Sequence, residues 1–166
     1  MRAMLICLFL LVATAVVAVE TASDFTLTDS NGNTVQLSKL LNNGAVILDF
    51  WASWCVPCKK ELPELAKIGE KYDSLTVVAV TIDKPKDRIK AQAAIKTIKG
   101  EIVYLFDEND MVKNLFEVKD VPTTILIDKT GVIRFRHVGY NTGEESAIDT
   151  EAGKFLKPVQ VGGGAQ

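Results

Sequence analysis

The stretch Asp49-Phe-Trp-Ala-Ser-Trp-Cys-Val-Pro-Cys-Lys-Lys-Glu-Leu-Pro63 decides how the chain is read. It places two cysteines two residues apart, directly behind the apolar run Ala45–Trp51 (AVILDFW). That run is rich in β-branched and aromatic residues, the composition of a strand buried on both faces. From Cys55 onward the apolar period lengthens, with Cys58, Leu62, Leu65, Gly69 and Tyr72 at spacings of three and four. This predicts a helix over 55–72 with one inward face. The cysteines therefore fall where a buried strand gives way to a helix, and Pro57 occupies the first turn, where its missing N–H costs little.

A CxxC pair can be a structural bridge, half of a metal site, or a redox couple. The bridge closes a loop too short to restrict the unfolded chain much, and a domain of this size does not need it. A structural zinc site wants four ligands, and only Cys7 and His137 remain as further cysteine or histidine. Cys7 lies in the leader described below, and His137 lies in an alternating strand and reads as an edge residue. Lys59 stands where covalent haem attachment would want histidine. The redox reading fits the placement. Unpaired N–H groups and the dipole at a helix N-terminus favour negative charge, which lowers a thiol pKa. An ordinary thiol, with a pKa of about 8.5, is only about 3% ionised at pH 7. Cys55 is the expected attacking sulfur and Cys58, one turn on, the resolving one. Asp49 sits inside an apolar strand, where burial without a cation raises a carboxyl pKa and suits it to take the proton from Cys58. Glu61, three residues past Cys58, is the second candidate acceptor; the same spacing also fits a solvated helix surface.

The rest of the chain supplies a consistent frame. The 166 residues are 48% hydrophobic and 24% charged, the profile of one globular domain. A net charge of -2 with no basic cluster gives no general attraction to nucleic acid. Residues 1–18 place Arg2 before an apolar run that ends in small residues, the layout of a signal peptide cut after Ala18; an uncleaved membrane anchor is the competing reading. Residues 19–157 form the expected domain and 158–166 a glycine-rich flexible tail.

Phe25/Leu27 and Val35/Leu37 alternate around Ser30-Asn-Gly-Asn33, an N-terminal hairpin. Ser38 is expected to cap a short helix to Leu41. Leu75–Asp83 reads as a second buried strand. A helix follows over 86–99 with Ile89, Ala93, Ile95 and Ile98 inward. Ile102–Asp107 is a strand, 109–118 a short helix, Thr123–Asp128 a strand, and Val132–Gly139 its antiparallel partner across a tight turn. The last helix spans about 144–156. Strands alternating with helices and closing in a hairpin predict a three-layer α/β/α domain with a mixed sheet.

These residues together resemble the thioredoxin superfamily, specifically its exported TlpA/ResA-type branch of thiol–disulfide oxidoreductases. The resemblance runs from about Asp24 to Tyr140 and rests on Phe25–Gly32 (FTLTDSNG), on Trp51, Trp54, Cys55 and Cys58 in WxxWCxxC, on Glu61 and Pro63, and on Val121-Pro-Thr-Thr124. It implies a thioredoxin fold with an N-terminal β-hairpin extension and a cis peptide before Pro122. Trp54, Val121, Pro122 and Thr123 become the expected substrate-binding rim. Branch members often carry Asn where Asp49 stands, so the choice of proton acceptor between Asp49 and Glu61 stays open.

The implied activity is disulfide exchange with exported proteins through the Cys55–Cys58 couple, without a bound cofactor or metal. Electrons would come from a membrane-embedded thiol donor, for purposes such as cytochrome c or copper-oxidase maturation. Alternatives of another class are a peroxiredoxin-like antioxidant, against which Ala52 stands where a threonine is needed, and a metal-binding or chaperone module.

Overall fold

The computed structural model describes residues 19–159. The leader, Cys7 and most of the expected tail lie outside the described residues. Seven strands form one sheet: β1 (Thr26–Asp29), β2 (Thr34–Gln36), β3 (Ala45–Trp51), β4 (Leu75–Thr81), β5 (Val103–Phe106), β6 (Thr123–Ile127) and β7 (Ile133–Val138). Their order across the sheet is β2-β1-β5-β4-β3-β6-β7. β3, β4 and β5 run parallel, whereas β6 pairs antiparallel with β3 and β7, and β1 antiparallel with β5 and β2. The mixed sheet is the expected one, and the N-terminal hairpin extends it beyond β5.

The helices are α1 (Leu37–Leu41), α2 (Val56–Lys71), α3 (Arg88–Ile95), α4 (Met111–Leu115) and α5 (Glu145–Gly153). Side chains of β3 alternate between two cores. Val46, Leu48 and Phe50 meet Leu37 of α1 and Val112 of α4 on one face. Ala45 and Ile47 meet Leu65 and Ile68 of α2 and Ile148 of α5 on the other. Trp51 continues the second face toward Cys58, Leu62 and Ala91. Asp49 has the same parity as Ile47 and Trp51 and so is aimed at α2. Each fully buried leucine of α2, Leu62 and Leu65, is worth about 1.5–3 kcal/mol of hydrophobic burial, which presses the cysteine-bearing helix onto the sheet. Gly69 lets α2 approach closely, since a Cβ there would lie 2.7 Å from the Val77 side chain.

Three local expectations change. Ser38 lies inside α1 rather than capping it, and the N-cap position is Gln36. Asp24 supplies the acceptors instead, taking hydrogen bonds from the Ser38 N–H (2.9 Å) and hydroxyl (3.0 Å). The predicted 86–99 helix is divided: a 3-10 turn, Pro85–Asp87, precedes α3, which ends at Ile95. Its inner stripe is Ala91, Ala94, Ile95 and Ile98, so Ile89 is 79% exposed and Ala93 is also exposed. Ile89 lies two residues from Ala91, about 200° around a helix, and cannot share that stripe. The last helix is shorter than expected, and Pro158 and Val159 are held to α2's end by a bridge to Tyr72 and a 2.9 Å bond to the Lys71 carbonyl.

Candidate active site

Cys55 occupies the N-cap of α2 in an extended conformation, and Pro57 falls in the first turn. The two cysteines are joined in a disulfide, with Cα atoms 5.4 Å apart. The Cys58 backbone N–H donates to Cys55 Sγ at 3.2 Å, so an otherwise unpaired amide of the first turn points at that sulfur. Residues ahead of the helix are fixed from β4. Asp83 accepts from the Ser53 N–H (2.7 Å), the Ser53 hydroxyl (2.8 Å) and the Thr81 hydroxyl (2.6 Å), and Lys59 Nζ donates to the Ser53 carbonyl. Asp83 is a positioning residue that the sequence reading passed over, although it ends the predicted strand.

The surroundings of the two sulfurs differ. Both cysteines are buried, Cys55 at 4% exposure and Cys58 at 0%, but Cys55 is flanked by Trp54, 65% exposed, and by exposed Val56. Trp51 is wholly core and packs edge-on to Tyr104, ring centroids 6.0 Å apart. Of the two tryptophans only Trp54 is exposed. The Val121–Pro122 peptide is cis. Pro122 and Thr123 are buried, Val121 is half-buried, the Thr123 hydroxyl donates to the Asp120 carbonyl, and the Pro122 carbonyl accepts from the Gly139 N–H. His137 lies on the edge strand β7, its Nε2 3.2 Å from Glu144 Oε2.

Below Cys58 the structure brings both candidate acids together. Asp49 and Glu61 are both buried, which removes the solvated-surface reading of Glu61. Thr124, the direct cross-strand neighbour of Asp49, stands between them. Its Oγ1 is 2.7 Å from Glu61 Oε1 and 3.1 Å from Asp49 Oδ1. A hydroxyl has one proton to give. With both carboxylates ionised, one of those contacts would set oxygen lone pairs against each other. The arrangement is satisfied when one carboxyl is protonated and donates to Thr124 while Thr124 donates to the other. Burial, then the Glu61 charge, push the Asp49 carboxyl well above the ordinary range, against the Thr124 hydrogen bond. Burial raises Glu61 to about 7, opposed by Thr124 and assisted by Glu144 and Glu145. This carboxyl pair, favouring one shared proton, lies on the α2 face of the sheet, with Glu61 three residues along α2 from Cys58. Thr124 was visible only as part of a motif, because its role depends on the antiparallel register of β3 and β6.

Comparison with known proteins agrees with this geometry. The AhpC/TSA family model matches residues 19–136. The chain belongs to that family. Within it, the chain is 36% identical over 134 residues to the thiol-disulfide oxidoreductase ResA of Geobacillus kaustophilus, covering 80% of this chain and 75% of that one. It is 34% identical over 134 residues to ResA of Geobacillus thermodenitrificans, with coverage of 80% and 75%. Among solved structures, a Chlorobium tepidum protein assigned as the thiol:disulfide interchange protein DsbE superposes with a TM-score of 0.75 at 32% identity, covering 82% of this chain and 95% of that one. The fold is the thioredoxin fold, and this family member is a thiol–disulfide oxidoreductase whose CxxC pair is Cys55–Cys58.

Proposed function

We propose that the protein is an extracytoplasmic protein-disulfide reductase. The observation that carries this reading is the setting of the pair: Cys55 is the N-cap of α2 beside exposed Trp54, and Cys58 is fully buried on the helix face that carries Glu61, which shares Thr124 with Asp49. The Cys55 thiolate attacks one sulfur of a client disulfide and the client's other sulfur leaves as a thiolate. Cys58 gives its proton to Asp49 or Glu61, and the new thiolate attacks Cys55 Sγ, releasing the client's second sulfur. The client gains two electrons and the Cys55–Cys58 disulfide forms. A thiol donor of the same exchange chemistry, embedded in the membrane, resets it, and no bound cofactor or metal takes part. Exposed Trp54 and half-buried Val121 form the rim that receives an extended client segment, and buried Pro122 and Thr123, also expected there, shape it from beneath.

An exported location is supported by the leader pattern of residues 1–18, and residues 19–157 are the working domain. The relatives named ResA and DsbE, both thiol–disulfide exchange proteins, support thiol-containing proteins as clients. The leader pattern makes those clients exported ones, with cytochrome c or copper-oxidase maturation as the proposed setting. The test is a redox titration of the Cys55–Cys58 pair against glutathione. A potential as low as thioredoxin's, about -270 mV, is expected. A value near that of strong oxidants, about -120 mV, would make the protein a disulfide donor and overturn the reductase direction.

A further inference from the structure

The chain contains two Asn–Gly pairs, Asn31–Gly32 and Asn43–Gly44, and the thiol chemistry above uses neither. Such a pair can react with itself. Glycine has no side chain to shield its backbone nitrogen, so that nitrogen can reach the carboxamide carbon of the residue before it. Both asparagines are exposed, so burial does not tell the two pairs apart. Each glycine N–H also makes one backbone bond of 3.2 Å, Gly32 to the Asp29 carbonyl and Gly44 to the Leu41 carbonyl. Packing is what separates them.

Asn31 and Gly32 lie at the tip of the turn between β1 and β2, at the edge of the sheet. The φ angle of Gly32 is +89°, and a Cβ there would meet nothing within 4 Å. The backbone on that side faces open space. Asp29 Oδ1 accepts from the backbone N–H groups of Asn31 and Asn33, each at 2.8 Å, which fixes the turn. Among the described residues, the Asn31 carboxamide itself has no hydrogen-bond partner. A cleft of about 300 Å³, lined by Ser30 and Asn31 of the turn and by Gln92, Ile95 and Lys96, leaves that side chain room to swing onto the backbone. Asn43–Gly44 is the opposite case. A Cβ at Gly44 would lie 2.1 Å from the Ser74 carbonyl oxygen, and the same carbonyl accepts from the Ala45 N–H where β3 begins. Ring closure there would turn the Gly44 peptide against Ser74 and pull on β3.

We propose that Asn31 is a self-modification site, converting without an enzyme to aspartate and isoaspartate, and that the fold protects Asn43 from the same reaction. The Gly32 nitrogen attacks Asn31 Cγ and forms an N–C bond. The Cγ–Nδ2 bond breaks, and Nδ2 leaves as ammonia with the amide proton. Water then opens the five-membered imide at either carbonyl. Opening at Cγ leaves an ordinary backbone and a side-chain carboxylate, whereas opening at the backbone carbonyl routes the chain through the side chain. No electron is transferred. Either product adds one negative charge beside Asp29, in the cleft that also holds Lys96.

The test holds the oxidised protein warm at mildly alkaline pH, digests it at mildly acidic pH, and follows the peptides containing Asn31 and Asn43 by mass spectrometry as NH2 is exchanged for OH. A parallel sample is kept unfolded in urea, where no packing protects either pair. In urea the two rates should agree within about threefold, and in the native protein Asn31 should convert at least about tenfold faster, because Asn43 must wait for local opening. Asn31→Gln, whose longer side chain closes a ring far more slowly, should abolish the change in its peptide and leave folding and disulfide exchange as in wild type. A smaller native ratio would overturn the protection of Asn43 by the fold. An Asn31 that converts in urea but not in the native protein would overturn the site itself.

Discussion

Glu61 gives the protein a stability profile that runs against the usual carboxylate pattern. Its pKa rises from the ordinary 4.5 to about 7, chiefly because burial disfavours the charge. Between those two values the folded chain keeps a proton that the unfolded chain has lost. Stability from this group is thus fully present below pH 4.5 and is lost as pH rises through 7. At about 1.4 kcal/mol per unit, that interval is worth roughly 3 kcal/mol. Asp24, Asp29, Asp87, Asp128, Glu144 and Glu145 have lowered pKa values and act oppositely, stabilising above their unfolded values and losing that contribution as pH falls. A comparison of wild type with Glu61→Gln cancels Asp24, Asp29, Asp87 and Asp128, and leaves Glu61 together with the groups coupled to it, Asp49, Glu144 and Glu145, as the difference. The assay is urea unfolding of the oxidised protein, whose disulfide-bonded cysteines do not titrate. The E61Q protein should gain on wild type by about 3 kcal/mol between pH 4.5 and pH 7. A difference that stays constant within about 0.5 kcal/mol would refute the reasoning, because Glu61 would then not be holding its proton.

Further outcomes follow from the same geometry. Cys58→Ser should accumulate mixed disulfides on Cys55 when mixed with a disulfide-bonded protein, visible on non-reducing gels, and Cys55→Ser should not. Thr124→Val leaves two buried carboxyl oxygens without their shared hydroxyl and should cost about 1–3 kcal/mol in chemical unfolding, more above neutrality than below. Trp54→Ala removes an exposed ring, so stability should stay within about 0.5 kcal/mol while KM for a protein disulfide rises. Gly100→Ala should destabilise by about 1–3 kcal/mol, since φ is +105° there and a Cβ would lie 2.3 Å from the Ala66 Cβ on α2.

What could be read from the sequence was set by local pattern. The unbroken apolar run Ala45–Trp51 announced a strand covered on both faces, and all seven of its residues are buried. The switch of period at Cys55 located the sulfur at the mouth of a helix. Asp49 stood out because a charge inside such a run needs a reason. Glu61 did not, since a residue three places from Cys58 lies near the buried stripe and near solvent alike. Only the packing of α2 on β6 decides between them. Thr124 and Asp83 were illegible as site residues for one common reason: each bonds to a segment distant in sequence, and that juxtaposition is written in neither segment. Ile89 is apolar yet exposed, because the 3-10 turn before α3 sets the phase of that helix and apolar identity alone does not fix direction. The seeming cap Ser38 failed because Asp24, fourteen residues earlier, serves the start of α1.

The account depends on Cys55 being the ionised sulfur at the start of α2. Thiolate absorbance in the ultraviolet, followed against pH for reduced Cys58→Ser protein, tests this with one titrating thiol in the domain. Half-ionisation at or below neutrality, well under the ordinary thiol value of about 8.5, is the predicted result. A sulfur that stays protonated until that ordinary value is reached would contradict the account.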